Sequence, residues 1–66
     1  MQLTVNGQPR QADDEITLTD LVPRISDRLA GIAVALNNEV IPRAAWANTV
    51  LTEGDRIDVV TAVQGG

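Results

Sequence analysis

The sequence predicts an α+β domain in which one helix lies across one face of a mixed sheet of about four to five strands. Segments near both ends of the chain alternate between apolar and polar side chains, as half-buried strands do. From Leu18 to Leu29 the apolar spacing follows the period of a helix instead. Because 66 residues leave room for one small domain, helix and sheet must share a single core.

The first two strands are predicted to form a hairpin. Residues 1–6 alternate between apolar and polar side chains, and Asn6-Gly7 is the strongest short signal for a tight turn. Residues 8–12 are therefore expected to return as the second strand. Pro9 cannot donate a hydrogen bond to a sheet ladder, so this strand is placed at a sheet edge.

A helix is predicted from Leu18 to about Ala30. Thr17, followed by Asp20, resembles a capping box at its start. Gly31 stands where the C-terminal end of a helix often needs a left-handed residue. Pro23 conflicts with a regular helix interior, so either the first turn is irregular or the regular helix begins close to Pro23.

The middle of the chain is predicted to add a buried strand and a short hairpin. Residues 32–36 alternate large and small apolar side chains, so the large ones are expected to face the core. Asn37-Asn38 supplies a turn, and Val40-Ile41 forms a short strand. A helical turn is expected at residues 43–48 around Trp46, which is interpreted as a packing residue more readily than as an interface residue.

The last strand is predicted at residues 56–62, after a tight turn at residues 53–55. Its alternation places Ile57 and Val59 in the core. The opposite sheet face, which no helix is expected to cover, would carry Thr4, Ala33, Ala35, Asp58, Val60 and Ala62. The candidate partner face within it comprises Ala33, Ala35, Val60 and Ala62.

The last four residues are predicted to form a flexible tail, residues 63–66, beyond a domain at residues 1–62. Val63, Gln64 and Gly65 would thread this tail into a narrow active site, since it reaches about 13–14 Å when extended. An α-carboxyl group is ionised at neutral pH. A carboxylate at Gly66 is therefore expected to attack a phosphate and, once activated, to serve as an acyl donor. The alternative is a frayed terminus without a function.

Composition excludes several classes of function. Cys and His are both absent, which removes thiol nucleophiles, imidazole acid–base chemistry and the usual zinc ligands. We therefore expect no catalytic residue, no bound metal and no bound cofactor, and we interpret the acidic run at residues 13–15 as a solvated loop rather than a metal site. A net charge of -4 argues against a nucleic acid partner. Without a leader-like or membrane-spanning pattern, we expect a cytoplasmic chain with no membrane partner.

Three segments carry a resemblance to a known family. They are Leu36-Asn37-Asn38-Glu39-Val40-Ile41-Pro42-Arg43-Ala44-Ala45-Trp46, Leu51-Thr52-Glu53-Gly54-Asp55-Arg56-Ile57 and the final Gly65-Gly66. Together they resemble the ThiS family of thiamine-biosynthesis sulfur carriers, which are small β-grasp proteins related to ubiquitin. The resemblance covers the whole length, although residues 1–29 agree only in pattern. Pro23 and Asp58 depart from what the family leads us to expect.

This resemblance implies a cycle of covalent chemistry at Gly66. A ThiF-like adenylating enzyme would use ATP and Mg²⁺ to convert the carboxylate to an acyl-adenylate. Sulfur from a cysteine desulfurase or a rhodanese-type persulfide would then replace AMP and give a thiocarboxylate. A ThiG-like thiazole synthase would take the sulfur, so the carrier itself would not be an enzyme.

Three alternative functions remain at this point. One is a sulfur carrier of molybdopterin or cysteine synthesis, although those relatives are usually longer and lack the motif from Pro42-Arg43 to Trp46. Another is a ubiquitin-like modifier joined through Gly66 to protein lysines. The third is a β-grasp interaction domain whose tail has no covalent role. Arg43 would pair with a loop carboxylate or contact a partner, and the sequence does not decide between them.

Overall fold

A computed structural model describes residues 1–26 and 31–61 of the chain. The strands are β1 (Gln2–Val5), β2 (Gln8–Gln11), β3 (Ile32–Leu36), β4 (Glu39–Val40) and β5 (Arg56–Thr61). Helix α1 spans Leu18–Ile25, and a 3₁₀ helix spans Arg43–Asn48. No helix in the part of the chain that the structure describes is long and apolar enough to cross a membrane.

The strands form a 5-stranded mixed sheet in the order β2-β1-β5-β3-β4. The first and last strands run parallel at its centre, while the other neighbours are antiparallel. Strand β2, which carries Pro9, lies at a sheet edge as predicted. With α1 on one side of the sheet, the α+β class and the β-grasp arrangement are confirmed.

Two tight turns fix the register of the outer hairpins. Asn6 and Gly7 have φ values of 50° and 82°, and Asn37 and Asn38 have φ values of 51° and 72°. Two consecutive positive φ values are the signature of the turn that matches the twist of paired strands. The predicted turns are therefore present, and the second brings Glu39 opposite Leu36. Strand β4 consequently begins at Glu39, one residue earlier than predicted.

Helix α1 is shorter than the sequence pattern indicates. It ends at Ile25, and Ser26 is extended with φ -132° and ψ 135°, so the expected end near Ala30 is wrong. The helix begins at Leu18 and includes Pro23. Because proline has no backbone N–H, one helical hydrogen bond is missing in the second turn, and this weakens the helix after Pro23. Gly31 has a φ of 73°, but it precedes β3 rather than closing the helix. Residues 27–30 lie outside the described residues.

One apolar core joins the helix to the sheet. Its members are Leu3, Val5, Ile16, Leu18, Leu21, Val22, Val34, Trp46, Leu51 and Ile57. Ile32, Leu36 and Val59, which the alternation also assigns to this side, are partly buried against it.

Trp46 packs in the core, as the sequence interpretation favoured. The residue is 5% exposed, and its indole N–H donates to the Ile41 carbonyl at 3.0 Å. The Arg43 guanidinium lies 5.6 Å from the ring centroid, within the range of a cation–π contact. Arg43 thus covers the Trp46 ring from the outside, which is a contact the sequence analysis did not consider.

Candidate docking face

The sheet face opposite α1 brings together most of the described residues that the sequence assigned to a partner. In the antiparallel register of β3 and β5, Ala33 pairs with Val60 and Ala35 pairs with Asp58. Val34 pairs with Val59 between them and points into the core side. Because side chains alternate along a strand, the other four share the uncovered face.

Val40 belongs to the same face, although the sequence analysis left it out. Strand β4 pairs Val40 with Ala35, so Val40 lies on the side of the sheet that α1 does not cover. Val40 and Val60 are 68% and 57% exposed, respectively, which is unusual for large apolar side chains. The turn at Asn37-Asn38 was the signal that could have found Val40, since a two-residue turn fixes which residue of β4 faces Ala35.

We call this surface the outer patch and define it by its members. They are Ala33, Ala35, Val40, Asp58 and Val60. Thr4 and Arg56 flank the outer patch, because β1 pairs Thr4 with Arg56 in parallel register.

One ion pair interrupts the apolar character of the outer patch. The Arg56 Nε lies 3.4 Å from the Asp58 Oδ2, and the two side chains are 56% and 29% exposed. A single contact of this length between side chains open to water contributes little to stability. Asp58 does face outward as predicted, but the sequence analysis did not identify Arg56 as its partner.

Side chains from the two tight turns accept hydrogen bonds from the backbone of β5, the strand that carries Asp58 and Val60 of the outer patch. The Asn37 amide oxygen accepts a hydrogen bond from the Arg56 backbone N–H at 2.9 Å, while its amide nitrogen donates to Asp55 at 3.1 Å. The Asn6 amide oxygen accepts one from the Val59 backbone N–H at 2.8 Å. Because β5 is anchored at its first residue and near its middle in this way, the outer patch presents its side chains in a fixed register.

The predicted covalent site lies directly beyond β5. Ala62, Val63, Gln64, Gly65 and Gly66 are outside the described residues, so the domain boundary at residue 62, the tail-threading residues and the attachment point stay predictions. Val60 is described, and it stands on the outer patch only six positions before Gly66.

Acidic side chains elsewhere do not assemble into a metal site in residues 1–26 and 31–61. No group there contains three or more side chains that could hold a metal ion together. The acidic run at residues 13–15 is exposed to solvent, as expected for a loop before a helix.

Comparisons with known proteins agree with this fold. The model of the ThiS family matches residues 3–66. The sulfur carrier protein ThiS of Escherichia coli strain K12 is 33% identical over 66 residues, which cover 100% of both chains. The crystal structure of the thiamine biosynthesis protein ThiS from Geobacter metallireducens superposes with a TM-score of 0.86 at 33% identity, again over 100% of both chains.

A second kind of relative carries a similar segment inside a longer protein. The thiazole synthase of Paramagnetospirillum magneticum is 27% identical over 66 residues, which is 100% of this chain but only 20% of that protein. The family model, the full-length match to ThiS from Escherichia coli and the close structural superposition agree with one another. This chain belongs to the ThiS family.

Proposed function

We propose that this chain is a sulfur carrier protein of thiamine biosynthesis that works through a carboxylate at Gly66. The observation that carries the proposal is the match to ThiS of Escherichia coli over the complete length of both proteins. That alignment includes Gly65-Gly66, so the region proposed for the chemistry lies within the similarity. The fold contributes a small rigid body, and the chemistry takes place on the tail that follows β5.

A carboxylate needs activation before it can accept sulfur. Neither oxygen of a carboxylate is a good leaving group, and covalent activation divides one difficult step into two easier ones. In the proposed cycle, a ThiF-like adenylating enzyme lets the Gly66 carboxylate attack ATP in the presence of Mg²⁺ and release pyrophosphate. A persulfide, supplied by a cysteine desulfurase or a rhodanese-type protein, then forms a C–S bond at Gly66 as AMP leaves. A second thiol cleaves the S–S bond of the resulting acyl disulfide, forms a disulfide with the donor sulfur and releases the thiocarboxylate.

The receiving partner in this proposal is a ThiG-like thiazole synthase. A segment similar to this whole chain forms part of proteins named thiazole synthase in two other organisms. Joining two activities in one polypeptide raises their effective concentration for each other. The same two activities are proposed to meet here, with the carrier delivering a thiocarboxylate.

The outer patch is the proposed docking surface for the adenylating enzyme. Its two exposed valines and two alanines provide apolar contact area that the fold leaves uncovered. Val60 lies within about 20 Å of Gly66 along an extended chain. Docking there would hold the body of the carrier while the tail enters the active site. Gly65 and Gly66 have no side chains, so this part of the tail would fit the narrowest part of the entrance.

The tail can be tested separately from docking. We expect deletion of Gly66 to lower ATP–pyrophosphate exchange by the adenylating enzyme of the same organism by roughly 100-fold, because it retracts the carboxylate by about 3.5 Å. Gly66→Ala should have a smaller effect in the same direction, since a Cβ restricts the backbone and crowds the attacked carbon. Intact mass after a complete reaction with a sulfur donor should show one oxygen of the full-length chain replaced by sulfur.

Competition for the enzyme is the control for this experiment. The shortened chain should still displace the full-length chain, because the outer patch is unchanged. Full exchange activity from the shortened chain would reject the role of the Gly66 carboxylate. Conjugates with other proteins in place of a sulfur-containing mass would favour a ubiquitin-like modifier instead.

A further inference from the structure

Asp58 is the one carboxylate among the members of the outer patch, and any partner that covers the patch must cover it. Val40, Ala35 and Asp58 lie side by side on three adjacent strands. Neighbouring strands are about 4.8 Å apart, so Val40 and Asp58 are separated by about 10 Å. Val60 is two residues farther along β5, or about 7 Å away. Asp58 thus stands at the corner between the line across the strands to Val40 and the line along β5 to Val60, and a surface that covers the outer patch as far as both valines also covers this carboxylate.

The internal partner of Asp58 does not compensate fully for that loss of water. The Arg56 Nε lies 3.4 Å from the Asp58 Oδ2, which is a long contact for an ion pair. A strong arginine–carboxylate pair is bidentate and shorter, at about 2.7–2.9 Å. Within residues 1–26 and 31–61, no other side chain forms an ion pair with Asp58. The second carboxylate oxygen is thus available to a donor from outside.

We infer that Asp58 is a specificity residue of the outer patch, and that it selects an adenylating enzyme whose docking surface places a basic side chain opposite it. The inference rests on the proposed function, because it takes the adenylating enzyme as the occupant of the patch. A buried carboxylate is tolerated at an interface only when it is paired. A partner with an apolar or acidic group at this point is rejected, which makes Asp58 a means of discrimination as well as of attachment.

Charge complementarity favours the adenylating enzyme as the occupant. An enzyme that holds a triphosphate next to a carboxylate needs cationic groups around that site. This chain has nine acidic and five basic residues and a net charge of -4. It is therefore attracted to such a surface from a distance, and Asp58 gives the attraction a defined position on the patch.

The test compares four variants in binding to the purified adenylating enzyme of the same organism. Asp58→Asn removes the charge with almost no change in shape, and we expect it to raise Kd roughly 10- to 100-fold. It should also weaken the salt dependence of binding, since one charge pair is lost. Asp58→Glu keeps the charge and should retain most of the affinity. Arg56→Gln releases Asp58 from its internal pair and should not weaken binding.

Asp13→Asn is the matched control, because it makes the same change in net charge on the exposed acidic loop before α1. It should leave Kd within about twofold of the original value, as expected for a charge outside the interface. Equal effects of Asp58→Asn and Asp13→Asn would overturn the inference, because total charge alone would then explain binding. So would weaker binding of Arg56→Gln with unchanged binding of Asp58→Asn, which would indicate an acidic partner.

Two further results separate the inference from the proposed function. If Asp58→Asn weakens binding to purified thiazole synthase but not to the adenylating enzyme, the occupant named here is wrong while the carrier function stands. If the unmodified chain supports no ATP–pyrophosphate exchange, the proposed function and the inference fail together. Loss of binding in both Asp58→Asn and Asp58→Glu would show that shape rather than charge matters at this position, and would also overturn the inference.

Discussion

The two faces of the sheet are made by the same strands, yet they differ in what covers them. On one face Leu3, Val34 and Ile57 are 0%, 1% and 0% exposed beneath α1 and the 3₁₀ helix. On the other face Val60, which belongs to the same strand as Ile57, is 57% exposed. Since side chains alternate along each strand, a shift of one position along β5 moves from the core to the outer patch.

This difference separates stability from recognition within one strand. A small domain has a free energy of unfolding of only a few kcal/mol, so its covered face has little tolerance for lost contacts. The uncovered face has few contacts to lose, and its residues are available for a partner. Substitutions at core-facing and outward-facing positions of β5 should therefore have effects of different kinds.

The largest effect on stability is expected from Ile57→Ala. Ile57 is 0% exposed at the centre of the core, and removing a buried isoleucine side chain costs about 2–5 kcal/mol. Urea unfolding followed by the fluorescence of Trp46, the single tryptophan, would measure the loss. If Ile57→Ala is unfolded from the start, Ile57→Val should still fold and lose about 0.5–1.5 kcal/mol.

Val60→Ala is the matched control on the other face of β5. Its side chain is already half exposed to water, so the free energy of unfolding should change by no more than about 0.5 kcal/mol. A loss as large as that of Ile57→Ala would mean that the outer patch contributes to folding. The separation between the two faces would then have to be given up.

A smaller effect, on binding alone, is expected from Val60→Asp. The introduced carboxylate would stand two positions from Asp58 on the same face, and it would lose water on docking without a partner of its own. We expect Kd for the adenylating enzyme to rise at least tenfold, which corresponds to a loss of about 1.4 kcal/mol in binding free energy. An unchanged Kd together with an unchanged melting curve would exclude the outer patch as the docking surface.

Much of the two-faced sheet was predictable because it depends on local patterns. The alternation in residues 32–36 and 56–62 assigned Val34 and Ile57 to the core and Ala33 and Val60 to the other side, as the structure has them. The Asn6-Gly7 turn and the Thr17–Asp20 capping box were equally readable, since each is specified by residues a few positions apart. These features need no knowledge of the rest of the chain.

The missed features depend on details that apolar alternation alone does not specify. Val40 joins the outer patch through its register against β3, which the Asn37-Asn38 turn sets, and Arg56 meets Asp58 two positions along the same face of β5. The end of α1 was misplaced because the apolar period continues to Leu29, whereas Pro23 and the extended Ser26 end the helix at Ile25. The covalent site at Gly66 rests on the glycine pair and the family resemblance, and it stays a prediction.

A modest loss of stability, about 1 kcal/mol, is expected from Thr17→Ala, which weakens the helix that covers the core face. The Thr17 hydroxyl accepts a hydrogen bond from the Asp20 backbone N–H at 3.3 Å, and the Asp20 carboxylate lies 3.5 Å from the Thr17 backbone nitrogen. Removing such a cap costs about 1 kcal/mol. This loss should lower the free energy of unfolding of the whole domain, because α1 starts at Leu18, which is 0% exposed in the core.

Thr19→Ala tests whether that loss comes from the cap. Thr19 is an exposed residue of the first helical turn, and the same substitution there removes no capping hydrogen bond. Since alanine favours a helix more than threonine does, Thr19→Ala should leave the free energy of unfolding unchanged or raise it by a few tenths of a kcal/mol, roughly 0.3–0.6. Equal losses in the two variants, measured by urea unfolding, would show that the threonine side chains pack rather than cap. Neither variant should change the Kd for the adenylating enzyme, because α1 covers the face of the sheet that the outer patch does not use.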